Sequence, residues 1–219
     1  VTLQAERWTL LGRVQGVGVR PALARLADKL GLAGFVRNTE QGVELEIEGP
    51  REALNAFRDL LPAELPPAAQ LQSVHISRHA PQMRHGFAIG SSNVAGMLSA
   101  RVPTDRGVCQ TCLAEVACED NSRYDYPFTC CADCGPRYSL IGAMPYDRPS
   151  TSMASFQLCG NCRAEYESPT DRRFHAETIA CPQCGPHVWM TGSDGRKICF
   201  GPGAIAAAAT ALLQGQILA

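Results

Sequence analysis

The sequence predicts an α+β protein: a split βαβ, ferredoxin-like domain of order βαββαβ, followed by a small duplicated cysteine-rich domain. Three observations predict it. The hydrophobic period switches repeatedly between about 2 and about 3.6 residues across positions 1–91. No cysteine precedes Cys109, whereas ten of the eleven fall between Cys109 and Cys184. Within that stretch the chain repeats itself at an offset of 50 residues.

The elements of the first domain follow in order. Trp8 and Leu10 suit a strand. Leu23, Leu26, Ala27 and Leu30 recur at helical spacing, with Pro21 placed for the first turn and Gly31 for the stop. Phe35-Val36 begins a second strand. Val43, Leu45 and Ile47 alternate with Glu44, Glu46 and Glu48 as a third, after a turn containing Gly42. Leu54, Phe57 and Leu61 mark a second helix, expected to end before Pro62, and Leu71–Ile76 and Phe87–Ile89 close the domain as strands.

With 219 residues the chain has room for one large unit or two small ones, each small one burying a modest core. A net charge of −1 and a pI near 6.6 give no overall bias toward nucleic acid or an anionic membrane. No leader pattern is seen, and no apolar run approaches the roughly 18 residues of a membrane span. A reducing cytoplasm fits these facts and the cysteine spacing. The chain starts at Val1 without a methionine and stops at Ala219, after an alanine-rich helical pattern, Ala204 to Gly215, and apolar Ile217-Leu218. It therefore reads as a fragment cut at the opening of a further domain. The expected division is a first domain over 1–91, a linker over 92–107, the duplicated domain over 108–200 with copies at 109–134 and 159–184, and the start of a third domain over 201–219. Gly201-Pro202-Gly203 would be the link into it.

Chemistry in the first domain centres on Gly12-Arg13-Val14-Gln15-Gly16-Val17-Gly18-Val19-Arg20-Pro21, a glycine-bearing loop between the first strand and the first helix. Glycines let successive backbone N–H groups converge, and the helix N-terminus adds its positive dipole end, so the loop reads as an anion cradle. Arg20 can add a bidentate positive charge. At Val14 to Arg20, and at Asn38 in Val36-Arg37-Asn38-Thr39, the chain resembles the acylphosphatases. The resemblance implies that the amides of Gln15, Gly16, Val17, Gly18, Val19 and Arg20 bind a phosphoryl group. It further implies that Arg20 and Asn38 are catalytic, with Asn38 orienting the attacking water. No metal and no dedicated base are implied. Val19 stands where that family has phenylalanine, a difference expected to concern packing behind the loop.

Four short pairs, Cys109/Cys112, Cys131/Cys134, Cys159/Cys162 and Cys181/Cys184, suit a tetrahedral ion better than a disulfide framework. Each copy reads Cys-x2-Cys-x18-Cys-x2-Cys, so two structural zinc ions are expected, with these eight cysteines as ligands. Four thiolates per ion leave no position for a reacting water. Metal binding would supply much of the folding free energy here, roughly 10–16 kcal/mol for a structural zinc at neutral pH. Cys130 could substitute for Cys131, although only Cys131 keeps the repeat register. Pairing within each copy is expected, and spacing alone leaves a nested arrangement open. Cys118 and Cys199 read as spare thiols. His175 and His187 lie near cysteines, but eight thiolates already satisfy two ions.

The combination is more specific than its parts. Tyr126-Pro127-Phe128, Cys134-Gly135-Pro136-Arg137, Met144-Pro145-Tyr146-Asp147-Arg148-Pro149 and Arg172-Arg173-Phe174-His175-Ala176 follow the acylphosphatase-like domain in this order. The whole resembles the N-terminal part of the HypF family, the hydrogenase-maturation carbamoyltransferases. That implies an acylphosphatase-like domain, a duplicated zinc-finger domain and the start of a YrdC-like α/β domain. It also implies cleavage of carbamoyl phosphate to carbamate and phosphate, then ATP- and Mg2+-dependent formation of carbamoyl-adenylate in later domains. The carbamoyl acceptor would be the C-terminal cysteine of a HypE-type partner. The Tyr-Asp-Arg and Arg-Phe-His segments have no evident substrate partner and are read as structural. The zinc sites are expected to act as a rigid connector whose loss spares phosphate release. A second reading is a non-enzymatic module with a degenerate acylphosphatase fold, docking protein or RNA around Arg163, Arg172 and Arg173.

Overall fold

In the computed structural model, residues 2–93 and 100–218 are described. The first domain is built as β1 (Leu3–Arg13), α1 (Val19–Lys29), β2 (Ala33–Asn38), β3 (Gly42–Pro50), α2 (Arg51–Glu64), β4 (Gln70–His79) and β5 (Phe87–Ile89). The sheet order is β4-β1-β3-β2-β5, antiparallel except that β5 runs parallel to β2. This is the ferredoxin-like arrangement with one added edge strand.

Strand register explains the core. Trp8 pairs with Leu45 and Leu10 with Val43, so the apolar residues of β1 and β3 share one sheet face. The apolar stripes of α1 and α2 cover it, and Leu23, Leu26, Leu54 and Phe57 are fully buried there. Trp8 and Phe57 meet edge to face at 5.6 Å. The opposite face carries the alternating glutamates of β3, yet Glu46 and Glu48 are also buried. Arg7 and Arg84 each hold Glu46 (2.9 and 3.0 Å), which offsets the cost of burying its charge.

Helix α2 runs through Pro62 to Glu64 instead of stopping before it. The proline stands near the helix end and gives up only the bond to the carbonyl four residues back.

The cysteine-rich half contains two short helices, α3 (Gln110–Ala117) and α4 (Gly160–Glu167), at equivalent positions of the two copies. A hairpin of β6 (Trp189–Thr191) and β7 (Lys197–Phe200) follows, then α5 (Gly201–Leu213). Gly201-Pro202-Gly203 is therefore the first turn of α5, not an extended link, and Ile217-Leu218 forms no strand among the described residues. No helix among the described residues is long and apolar enough to cross a membrane.

Candidate active site and metal centres

The cradle forms where β1 hands over to α1. Gly18 caps the helix in a left-handed conformation (φ 81°), and Gly16 is also left-handed (φ 66°), so the loop 14–18 needs glycine at both positions. Val19 is buried in the core behind the loop. Gln15 is buried too. Its Nε2 donates to the carbonyls of Thr39 and Gly42, both at 2.7 Å, tying the loop to the turn after Asn38.

Arg20 and Asn38 converge on one point. Arg20 Nη2 and Asn38 Nδ2 both donate to the backbone carbonyl of Tyr146, at 3.2 and 2.8 Å. Asn38 Oδ1 is buried with no partner among the described residues. Arg20 also pairs with Asp147 (2.6 Å) and Glu177 (2.7 Å). Burial opposes the charge on Arg20, but the Glu177 and Asp147 carboxylates outweigh it and hold its pKa above the ordinary value.

The cysteine-rich half thus sits directly on the cradle. Tyr146 N donates to Gln15 Oε1 at 2.9 Å, and Ser92 donates to Asp147. Arg137 Nε donates to the Gly16 carbonyl at 2.6 Å. A Cβ on Gly16 would stand 2.6 Å from Pro103 Cγ. Between the two walls remains a cavity of about 20 Å³, lined by Gly16, Gly18, Arg20, Arg137, Tyr146 and Glu177 among others. That is room for about one water molecule. Gly18, Pro21 and Ala132 also line an adjoining cleft of about 680 Å³.

The eight paired cysteines come together by copy. Sulfurs of Cys109, Cys112, Cys131 and Cys134 form one cluster, and those of Cys159, Cys162, Cys181 and Cys184 a second, each within 4.8 Å. Neighbouring sulfurs are 3.5 to 3.9 Å apart in the first and 3.7 Å apart in the second. Those separations match the roughly 3.8 Å edge of a tetrahedron with zinc–sulfur arms of about 2.3 Å, and the donor set fits zinc. Cys130 lies outside the clusters, with its Sγ against Thr178. Cys118, Cys199, His175 and His187 are in neither cluster.

The two copies are interlocked by exchange. Arg123 of the first donates to Glu165 (2.9 Å), the Ala180 carbonyl (2.9 Å) and Cys162 Sγ (3.3 Å) of the second. Its repeat equivalent Arg173 reaches Glu115 and the Cys130 carbonyl (3.0 Å) of the first. Arg172 adds a contact to Cys112 Sγ at 3.1 Å. Arg172 and Arg173 are therefore engaged by Glu115 within the fold, while exposed Arg163 lies 3.7 Å from Glu167.

Known proteins share this arrangement. The Acylphosphatase family matches residues 7–89, and the HypF finger family matches 108–141 and 158–191. The carbamoyltransferase HypF2 of Cupriavidus necator is 46% identical over 150 residues, which is 68% of this chain and 19% of that protein. An acylphosphatase of Cupriavidus metallidurans is 49% identical over 90 residues, covering 40% of this chain and 94% of that one. A crystal structure of full-length HypF in a phosphate- and nucleotide-bound form superposes with a TM-score of 0.86 at 36% identity, over 98% of this chain and 28% of that chain.

The chain belongs to the HypF family.

It spans about a fifth of the length of the curated HypF relatives it matches, 19% in the case quoted. Within this HypF chain, sequence reasoning found the glycine-bearing loop between β1 and α1 and all eight clustered thiols. It did not find that Tyr146, Asp147 and Glu177 close over Arg20, because they lie more than 120 positions away and are joined to it only by the tertiary fold. The Tyr-Asp-Arg and Arg-Phe-His segments, read as structural, were the available pointers: Tyr146 and Asp147 touch Arg20, and His175 lines the cavity beside it.

Proposed function

We propose that the cradle of this chain hydrolyses carbamoyl phosphate to carbamate and phosphate, as the first step of a HypF-type carbamoyltransferase. The convergence of Arg20 and Asn38 on a single oxygen carries the reading. That oxygen, the Tyr146 carbonyl, marks the point where two donors can grip a phosphoryl oxygen beside the glycine-bearing loop. Because the cavity now holds about one water, phosphate binding would part the two walls and exchange the contacts of Arg20 with Tyr146 and Asp147 for contacts with the substrate.

In this reading Asn38 Oδ1, buried and unpartnered, accepts a hydrogen bond from the attacking water. Water attacks phosphorus, the bond from phosphorus to the bridging oxygen breaks, and carbamate leaves with the electron pair. The water proton passes to a phosphate oxygen. Positioning and charge stabilisation do the catalytic work. The two thiolate clusters would each hold a structural zinc, with Cys109, Cys112, Cys131 and Cys134 on one ion and Cys159, Cys162, Cys181 and Cys184 on the other.

The full-length protein would then use ATP and Mg2+ in a YrdC-like domain, into which α5 leads, to form carbamoyl-adenylate. It would carbamoylate the C-terminal cysteine of a HypE-type partner during nickel–iron hydrogenase maturation, in the cytoplasm. The family membership supports this larger scheme. Phosphate release from carbamoyl phosphate, measured for the chain and for Arg20→Gln and Asn38→Ala, tests the local step. A loss of at least about a hundredfold in each variant is expected, and equal rates in all three would remove the assigned site.

A further inference from the structure

The cavity over the cradle is lined from both halves of the chain. On the first-domain side stands the Arg20 guanidinium beside Gly16 and Gly18, and Arg137 and His175 reach the cavity from the cysteine-rich side. On that second side also stands Glu177, a carboxylate only 5% exposed, with the hydroxyl of Tyr146, which is buried without a partner among the described residues.

Glu177 is also fixed in direction. Its Oε2 accepts from Arg148 N and from Tyr166 OH, both at 3.0 Å, while Oε1 meets Arg20 at 2.7 Å. Held by three donors, the carboxylate cannot swing into solvent, and Oε1 keeps a lone pair for a further donor. Burial keeps the Tyr146 phenol above its ordinary pKa, so at neutral pH its hydroxyl remains a donor. Glu177 and Tyr146 therefore both line the cavity beside Arg20, which would have to widen beyond its present room for one water to admit a substrate.

We propose that Glu177 and Tyr146, both from the cysteine-rich half, recognise the carbamoyl end of the substrate: Glu177 accepts an N–H of its amino group, and the Tyr146 hydroxyl donates to its carbonyl oxygen. The proposal rests on the hydrolytic reading of the cradle and names the residues that select its substrate. Acetyl phosphate offers the same phosphoryl group and the same carbonyl, but a methyl where carbamoyl phosphate has an amino group. A buried carboxylate facing that methyl keeps its three donors but lacks the further charge-assisted hydrogen bond that the amino group would give, which disfavours the analogue. The second copy has a carboxylate here because it diverges from the first: Glu177 corresponds to Pro127.

The test compares kcat/KM for phosphate release from carbamoyl phosphate and from acetyl phosphate, using the zinc-loaded chain with zinc content verified. Wild type should favour carbamoyl phosphate by about tenfold or more, the worth of one charge-assisted hydrogen bond. Glu177→Met should collapse that ratio toward one, and Glu177→Gln, which keeps one acceptor, should give an intermediate ratio. Tyr146→Phe should lower both substrates by a similar factor, since both carry the carbonyl. Release from both substrates at equal wild-type efficiency overturns the assignment while leaving the hydrolytic reading intact. So does an unchanged ratio in Glu177→Met, which would make Glu177 a brace for Arg20 alone. Release from neither substrate by wild type removes the hydrolytic reading itself. Wild-type preference needs no variant, so a misfolded Glu177→Met still leaves a decisive result.

Discussion

Arg137 Nε donates to the Gly16 carbonyl at 2.6 Å, while its two Nη atoms are held by carbonyls of the first cysteine cluster's own turn, those of Cys131, Ala132, Cys134 and Pro136. One guanidinium thus connects a cysteine cluster to the glycine-bearing loop. The expectation that the clusters serve only as a connector between domains is too narrow for this geometry. Removing zinc should free Arg137 and loosen the cradle. Phosphate release should therefore fall when a chelator strips the metal, and Arg137→Met should lower it with metal still bound. A chelated protein that keeps its full rate would show that the loop stands without this link.

The exchange of Arg123 and Arg173 between copies predicts that the two metal sites stand or fall together. Arg123→Met takes from Glu165 the closer of its two arginine partners, leaving Arg173 at 3.7 Å, and should destabilise the cysteine-rich half by about 1–3 kcal/mol. Cys112→Ser should bring zinc stoichiometry close to zero. A value near one would show that the second site folds independently.

Burial, with the positive charge of Arg20 behind it, pushes the His175 imidazole down to about 4. The unfolded chain binds this proton near pH 6.5, so the native state carries fewer protons between those values. The contribution of this group to stability is complete above about pH 6.5 and is lost as the pH falls toward 4. Observed by NMR, the ring should not titrate between pH 5.5 and 8. A midpoint near 6.5 would mean that the ring is not enclosed between Tyr166 and Phe174 as described.

Gly16→Ala should be costly twice. The left-handed backbone there carries a penalty of roughly 1–2 kcal/mol for any other residue, and the new methyl would press on Pro103 and Tyr146. Thermal unfolding should show the loss, and isothermal titration with inorganic phosphate should show weaker binding. Unchanged binding would place the phosphate site away from this loop.

Much of this was readable in the sequence because two simple periodicities were intact. The alternation of Val43, Leu45 and Ile47 and the helical recurrence from Leu23 to Leu30 reported the first domain's elements, and the offset between copies reported the thiols. Helices α3 and α4 escaped because each buries a single residue, Cys112 or Cys162, so no apolar stripe exists to be read. Hairpin β6–β7 escaped because its side chains are largely exposed, though Gly192-Ser193-Asp194-Gly195 carried a turn cue. Burial of Glu46 and Glu48 was hidden for a different reason: one of the two arginines that meet Glu46 and the backbone amide that meets Glu48 come from the distant segment 82–84.

Asp125 and His175 occupy the same place in the two copies, and both have a left-handed backbone, φ 55° and 50°. In the first copy that corner faces Pro182 and Pro186, and in the second it faces Arg20 across the cavity. A chain that duplicates a metal-held unit inherits two identical bends and needs only one of them for holding itself together. The side chains at the second bend differ from those at the first, Glu177 standing where the first copy has Pro127, while both copies keep their four clustered cysteines.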